Sequence, residues 1–216
     1  MTRDATMSEL IARLSGDLKP PPRLSVRSQI TLLSICGAGI GMAAMLGAYG
    51  IREDIAAAVS TGSFWVKAVY AASLIFVSFI SLVELARPEG RARLAFFVLP
   101  IGLLALLAAA ELASTASSGW RPLIMGMSAG KCSVRIALIG LPTFLLLFWA
   151  VRRYAPTQLA RAGAVIGACA GAIGALAYML YCRETAAGFI LVWYSLGISM
   201  LAGLGGIIGP LALRWR

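Results

Sequence analysis

Six long runs of apolar residues constrain this chain more than any other feature of its sequence. They extend over residues 30–50, 64–85, 94–113, 134–151, 162–181 and 188–213. As an α-helix, each run is long enough to cross a hydrocarbon core about 30 Å thick. The runs are continuously apolar rather than alternating, which favours helices over a β-barrel. The sequence therefore predicts an all-α membrane protein with six transmembrane helices.

The composition leaves little material for a soluble domain. Hydrophobic residues make up 60% of the 216 residues and charged residues only 13%, whereas a soluble domain carries about 25% charged residues. We expect two parts: a tail over residues 1–28 and a six-helix bundle over residues 29–216. A secretory signal is not expected, because its apolar core would lie much closer to Met1.

The basic residues predict the orientation in the membrane. Thirteen of the 19 Lys and Arg residues fall on the side of the tail, including those of ARPEGRAR and VRRYAPTQLAR, and six fall on the other side. The positive-inside rule then places both termini in the cytoplasm. No basic cluster is interleaved with aromatic residues, so the net charge of +10 favours lipid contact over direct nucleic-acid binding.

The tail carries the pattern of a short amphipathic helix that ends at three consecutive prolines. Its apolar face consists of Met7, Leu10, Ile11, Leu14 and Leu18, spaced as on one side of a helix. Such a short helix is not stable alone in water. It needs the bilayer, the protein's own loops or a partner to cover it, and the pattern alone does not choose between lipid and partner.

Two of the four cysteines are predicted to reach the outer face. Cys36 and Cys169 lie within apolar runs, where a thiol packs as a small apolar group. Cys132 precedes the fourth run and Cys182 follows the fifth. Both then face the periplasm, an oxidising compartment that permits disulfides.

The surroundings of the two outer cysteines predict different reactivities. Cys132 is flanked by Lys131 and Arg135 and begins a helix, and both features stabilise a thiolate. Cys182 follows a helix C-terminus, where the dipole opposes one. A reactive thiol with a resolving partner would make a redox sensor, but an inert or permanently bridged pair fits the spacing too. A metal site is a further alternative, which would require Glu184, Glu111 or water as additional ligands.

Two other features limit the possible functions. Histidine is absent, and no catalytic triad, zinc motif or phosphate loop is found, so neither an enzyme nor a bound cofactor is expected. Glycines repeat every four residues in three runs and permit close helix packing, either within the bundle or across a homodimer seam. They are Gly37 and Gly41, Gly163, Gly167 and Gly171, and Gly205 and Gly209.

The tail LIARLSGDLKPPPRL, the segment LPTFLLLFWAVRRYAPT and the two outer cysteines resemble the bacterial six-span membrane anti-sigma factors typified by the negative regulator of sigma factor F. The resemblance implies that the bundle lies in the bacterial inner membrane and that the cytoplasmic tail holds an extracytoplasmic-function sigma factor inactive. It also implies that Cys132 and Cys182 sense stress, by redox or metal chemistry. The sigma contacts would be Met7, Leu10, Ile11, Leu14, Asp17 and Leu18.

Three other functions remain open at this stage. A small transporter or channel would need polar groups along a central path. A membrane assembly protein would lay the tail helix on lipid. A thiol oxidoreductase would normally carry a CxxC motif or a quinone site, and neither is found in the sequence.

Overall fold

The computed structural model describes residues 25–87, 94–116, 119–154 and 156–214, together with Glu9, Ala12, Ser15 and Gly90. Within these residues the chain is helical and contains no strand. The helices are α1 (Val26–Tyr49), α2 (Ile55–Val59), α3 (Gly62–Leu85), α4 (Val98–Ala113), α5 (Trp120–Met125), α6 (Lys131–Val151), α7 (Leu159–Tyr178) and α8 (Ser195–Ala212). A 3₁₀ turn, Leu94–Phe97, leads into α4. A helical turn, Ala187–Phe189, and a π-helical turn, Ile190–Tyr194, lead into α8.

Six of these helical segments are long and apolar enough to cross a membrane, which confirms the predicted fold class. The helix ends differ from the sequence prediction where it matters for the cysteines. Helix α6 begins at Lys131 rather than at 134, so Cys132 lies in its first turn. Helix α7 ends at Tyr178 rather than at 181, so Cys182 lies in the loop that follows.

Successive spans run antiparallel, and this order divides the bundle into two ends. The cysteine end carries Cys132 and Cys182. The tail end carries Ser25, where α1 is capped, and Arg214. At the tail end the hydroxyl of Tyr154 donates a hydrogen bond to the side-chain oxygen of Gln29. An even number of crossings therefore brings the two ends of the described chain to the same side.

Helix α7 is the most buried of the six spans and lies at the centre of the bundle. Its glycines allow the backbone of α7 to contact the backbone of the neighbouring helix α8. A Cβ atom built on Gly163 would lie 2.0 Å from the carbonyl oxygen of Gly205, and one on Gly167 would lie 2.0 Å from that of Leu201. On α1, a Cβ on Gly41 would lie 2.3 Å from the carbonyl oxygen of Ile139. These glycine stripes therefore pack within the bundle rather than at a homodimer seam.

The periphery of the bundle is apolar, as a lipid-facing surface must be. Helix α4 is the least buried span, and its Leu99 is 79% exposed. A comparable surface in water would be an aggregation hazard. The predicted packing role holds for Cys169, which is buried, but not for Cys36, which lies on the exposed side of α1.

Candidate functional site

A pair of free thiols lies at the cysteine end of the bundle. Cys132 is fully buried in the first turn of α6, just after Gly130, whose φ of 73° turns the chain into the helix. Cys182 is 2% exposed and follows α7, whose last turn it closes by donating its backbone N–H to the carbonyl oxygen of Tyr178 at 3.1 Å. Both cysteines belong to one cluster of buried residues, and each influences the titration of the other. Two cysteines predicted only to share a face are therefore close neighbours.

Two cations converge on the backbone of Cys182. The ammonium of Lys67, a residue only 2% exposed, donates to the Cys182 carbonyl oxygen at 3.1 Å. The guanidinium of Arg52 donates to the same oxygen at 3.3 Å. The two cations therefore concentrate positive charge beside Cys182, whose thiol can ionise to a thiolate.

Arg52 is held in place by a carboxylate on its own loop. Its Nε and Nη2 atoms donate to the two oxygens of Asp54 at 2.7 and 2.6 Å. This bidentate hydrogen bond holds the pKa of Asp54 at about 2 and raises that of Arg52. Both groups therefore stay charged across the physiological pH range, and the carboxylate of Asp54 is committed to Arg52.

The structure places buried positive charge and the cavity at Cys182 rather than at Cys132, which the sequence argument did not foresee. The neighbouring Cys132 thiol lowers the pKa of Cys182 most, burial opposes this, and the charge of Lys67 lowers the pKa further. The sequence argument weighed only neighbours along the chain. Lys131 is exposed, and the guanidinium of Arg135 stacks instead over the ring of Tyr49, 4.5 Å from its centroid.

An open cavity gives solvent access to one thiol of the pair. It has a volume of about 560 Å³, and its lining includes Cys182, Arg135, Glu53 and Arg183 but not Cys132. A reagent arriving from the cysteine end therefore meets Cys182 first. Cys132 lies behind it, in the position of a resolving thiol.

Tyrosine side chains enclose the inner side of the thiol pair. Tyr178 and Tyr194 are buried there, with ring centroids 6.2 Å apart. Tyr194 is the last residue of the π-helical turn, and its buried hydroxyl has no hydrogen-bond partner among the described residues. A π-helical turn inside an α-helix is rare and often marks a functional position. Neither Tyr194 nor Lys67 was identified in the sequence, although a lysine inside an apolar run is a signal that could have found Lys67.

The two carboxylates that could have completed a metal shell are used as backbone caps instead. One oxygen of Glu184 accepts from the N–H groups of Met127 and Ser128, at 2.8 and 3.2 Å, and from the Ser128 hydroxyl at 3.1 Å. Glu111 accepts from the N–H groups of Ala187 and Gly188, at 2.7 and 3.2 Å. Among the described residues no cluster of three metal-ligating side chains is found.

The predicted sigma contacts lie outside the described residues. These are Met7, Leu10, Ile11, Leu14, Asp17 and Leu18. Three residues of the same segment are described. Glu9, Ala12 and Ser15 are helical and exposed, and the Ser15 hydroxyl donates to the Ala12 carbonyl oxygen at 3.0 Å.

Comparison with known proteins places the chain in one family. The family model described as negative regulator of sigma F matches residues 14–215. The chain is 32% identical over 219 residues to the anti-sigma-F factor NrsF of Caulobacter vibrioides (strain NA1000 / CB15N), with both chains covered completely. It is 30% identical to the probable anti-sigma-F factor NrsF of Azospira oryzae (strain ATCC BAA-33 / DSM 13638 / PS), over 95% of this chain and 96% of the relative. No solved structure gives a significant match. A match over almost the whole length, together with six membrane-spanning helices, identifies the chain as a member of the negative regulator of sigma F family.

Proposed function

We propose that this protein is a membrane-bound anti-sigma factor. Its tail, residues 1–28, holds an extracytoplasmic-function sigma factor inactive, and oxidation of Cys132 and Cys182 releases it. Membership of the family supports the anti-sigma role and a sigma factor as partner. The observation that carries the sensing half is the proximity of two free thiols in one buried cluster, of which Cys182 alone lines the cavity.

The tail binds the sigma factor as an amphipathic helix laid in a groove. The apolar residues Met7, Leu10, Ile11, Leu14 and Leu18 enter the groove, and Asp17 lies beside them at its edge. The described residues of this segment, Glu9, Ala12 and Ser15, are exposed and helical, as residues on the solvent side of such a helix would be. A helix that folds on its partner binds with modest affinity and is released readily.

The tail end of the bundle faces the cytoplasm and the cysteine end faces the periplasm, with the spans in the inner membrane. The excess of Lys and Arg on the side of the tail supports this orientation. Six crossings would bring residues 25 and 214, at the two ends of the membrane-spanning part, to the side where a sigma factor would be found. The thiol pair then lies in the compartment where disulfides form.

Oxidation joins the two sulfur atoms in one S–S bond and passes two electrons to an oxidant from the periplasm, with loss of the thiol protons. Helix α6 connects this event to the tail. Cys132 lies in its first turn, and Tyr154, which follows its last turn, hydrogen-bonds Gln29 at the start of α1. A shift of α6 caused by the new bond would therefore reach the root of the tail.

Fractionation of cells that express the intact protein tests the anti-sigma half. Leu14→Asp places a charge on the apolar face and should move the sigma factor from the membrane fraction to the soluble fraction. Ser15→Asp, at the neighbouring exposed position, is the matched control and should leave it in the membrane fraction. A sigma factor found free with the unaltered protein would contradict the proposal.

Replacement of the cysteines tests the sensing half separately. With Cys132→Ser or Cys182→Ser, target transcription should no longer rise when a thiol oxidant is added, while the sigma factor remains at the membrane. An unchanged response to the oxidant in both variants would remove the sensing role and leave the anti-sigma role intact.

A further inference from the structure

Lys67 is a buried cation that has no carboxylate partner among the described residues. It lies near the start of α3, and its side chain is 2% exposed. The ammonium donates to the carbonyl oxygen of Cys182 at 3.1 Å. Within the part of the chain that the structure describes, no Asp or Glu lies within ion-pair distance of it; the nearby Asp54 is paired with Arg52.

A buried ammonium group is costly unless negative charge or several hydrogen bonds compensate for it. One neutral carbonyl oxygen, shared with Arg52, is a poor substitute for the water that burial removes. The groups that the Lys67 ammonium faces are Cys182, Cys132, Arg52 and Glu184. Glu184 is negative too, but it forms no ion pair with Lys67 and its carboxylate accepts from the backbone of Met127 and Ser128. Negative charge on Cys182 would act on the ammonium more strongly than that of Glu184.

A thiolate in the thiol pair would in turn need a nearby positive charge. Cys182 follows the C-terminus of α7, where the helix dipole disfavours an anion. The titratable and charged groups that face it come from every element around it. They are Lys67 on α3, Arg52 on the loop before α2, Cys132 on α6, Tyr178 on α7, Tyr194 on the π-helical turn and Glu184 on its own loop. The two cations, Lys67 and Arg52, are the members of this set that favour a thiolate by charge, and Arg52 is already paired.

We propose that Lys67 is the built-in counter-charge of a Cys182 thiolate and thereby a positioning residue that makes Cys182, rather than Cys132, the sulfur that attacks an oxidant. The inference rests on the proposed thiol sensing. It adds Lys67 as the residue that decides which of the two thiols reacts first.

The reaction with a low-molecular-weight disulfide shows what this ordering means. The Cys182 thiolate attacks one sulfur of the disulfide, forms a mixed disulfide and expels one thiolate. Cys132 then loses its proton and attacks Cys182, so the Cys132–Cys182 bond forms and the second thiolate leaves. Two electrons pass to the reagent, and one proton is released to its thiolates. Lys67 then faces a neutral disulfide and has lost its counter-charge.

The test measures the rate at which iodoacetamide alkylates Cys182, by mass spectrometry, from pH 5 to 10, on the full-length protein in lipid nanodiscs. The unaltered protein should show a midpoint below the usual thiol pKa of about 8.5. Lys67→Met and Lys67→Gln should move the midpoint to higher pH. At a pH below both midpoints, a midpoint higher by one on the pH scale means a rate about tenfold lower. Lys67→Gln retains a donor for the Cys182 carbonyl oxygen and removes only the charge.

Two variants separate charge from shape. Lys67→Arg keeps the positive charge and should keep the midpoint close to that of the unaltered protein. Lys131→Met removes the exposed lysine next to Cys132 and should change nothing. The proposal is overturned if Lys67→Gln titrates like the unaltered protein, or if Lys67→Arg moves the midpoint as far as Lys67→Gln does. Alkylation involves no sigma factor, so such a result would leave the sigma-binding role standing.

Discussion

The close contact between α7 and α8 depends on Gly167, and replacing this residue by alanine tests how the bundle is held together. A Cβ atom at position 167 would lie 2.0 Å from the carbonyl oxygen of Leu201, 2.4 Å from its carbonyl carbon and 2.7 Å from the Cα atom of Ala202. All three are backbone atoms, so no rotamer change can relieve the clash. Ordinary contacts between carbon and carbonyl oxygen begin at about 3.3 Å. The two helices would have to separate by about 1 Å.

The cost of Gly167→Ala follows from that separation. Overpacking of a well-packed core costs about 1–3 kcal/mol, and separation of the helices also weakens the dispersion contacts along the rest of the seam. The higher helix propensity of alanine returns about 1 kcal/mol at most. We expect a net loss of about 1–2 kcal/mol in the free energy of unfolding.

Gly203→Ala is the matched control, because Gly203 lies on α8 and a Cβ atom added to it would have no other atom within 4 Å. It should leave the free energy of unfolding unchanged or raise it by up to about 1 kcal/mol. The assay is unfolding of the purified protein from mixed micelles by sodium dodecyl sulfate, followed by circular dichroism. Equal stability of the two variants would refute the packing argument.

Two further predictions concern the connections of the thiol site. Glu184→Gln removes the charge from the hydrogen bonds to Met127 and Ser128 and should weaken the local structure by about 1–3 kcal/mol. Faster hydrogen exchange of those two amides, with exchange in α7 unchanged, would show this weakening. Tyr154→Phe removes the hydrogen bond to Gln29 and should reduce sigma release on oxidation without weakening retention under reducing conditions. A full oxidant response in a transcription reporter would exclude Tyr154 from the route between the thiols and the tail.

The six spans could be read from the sequence because each apolar run is longer than a globular core requires. The proximity of Cys132 and Cys182 could be predicted only as a shared face, because it depends on how α6 and α7 pack and on three-residue differences in where they begin and end. The ranking of the two thiols met a related limit. It used Lys131, the neighbour in sequence, and could not take account of Lys67, which another helix brings to the backbone of Cys182.

The glycine stripes are a second example of what a sequence pattern can and cannot predict. Their spacing predicts close packing but not the partner, and the partner of Gly167 became clear only once α8 was in place. The π-helical turn that carries Tyr194 leaves no recognisable pattern in ILVWY. Local patterns therefore identified the membrane class and the candidate cysteines, while the electrostatic environment of the site required the tertiary structure.

The most direct test of the central claim is photo-crosslinking in living cells from the apolar face of the tail. A photoreactive amino acid replaces Leu14 in the full-length protein, and the same amino acid at the exposed position Ser15 serves as the control. The account predicts a covalent adduct between position 14 and a sigma factor, which forms in reducing conditions and declines after oxidation of the thiols. Adducts with phospholipid alone at position 14, with every sigma subunit free of crosslinks, would contradict it.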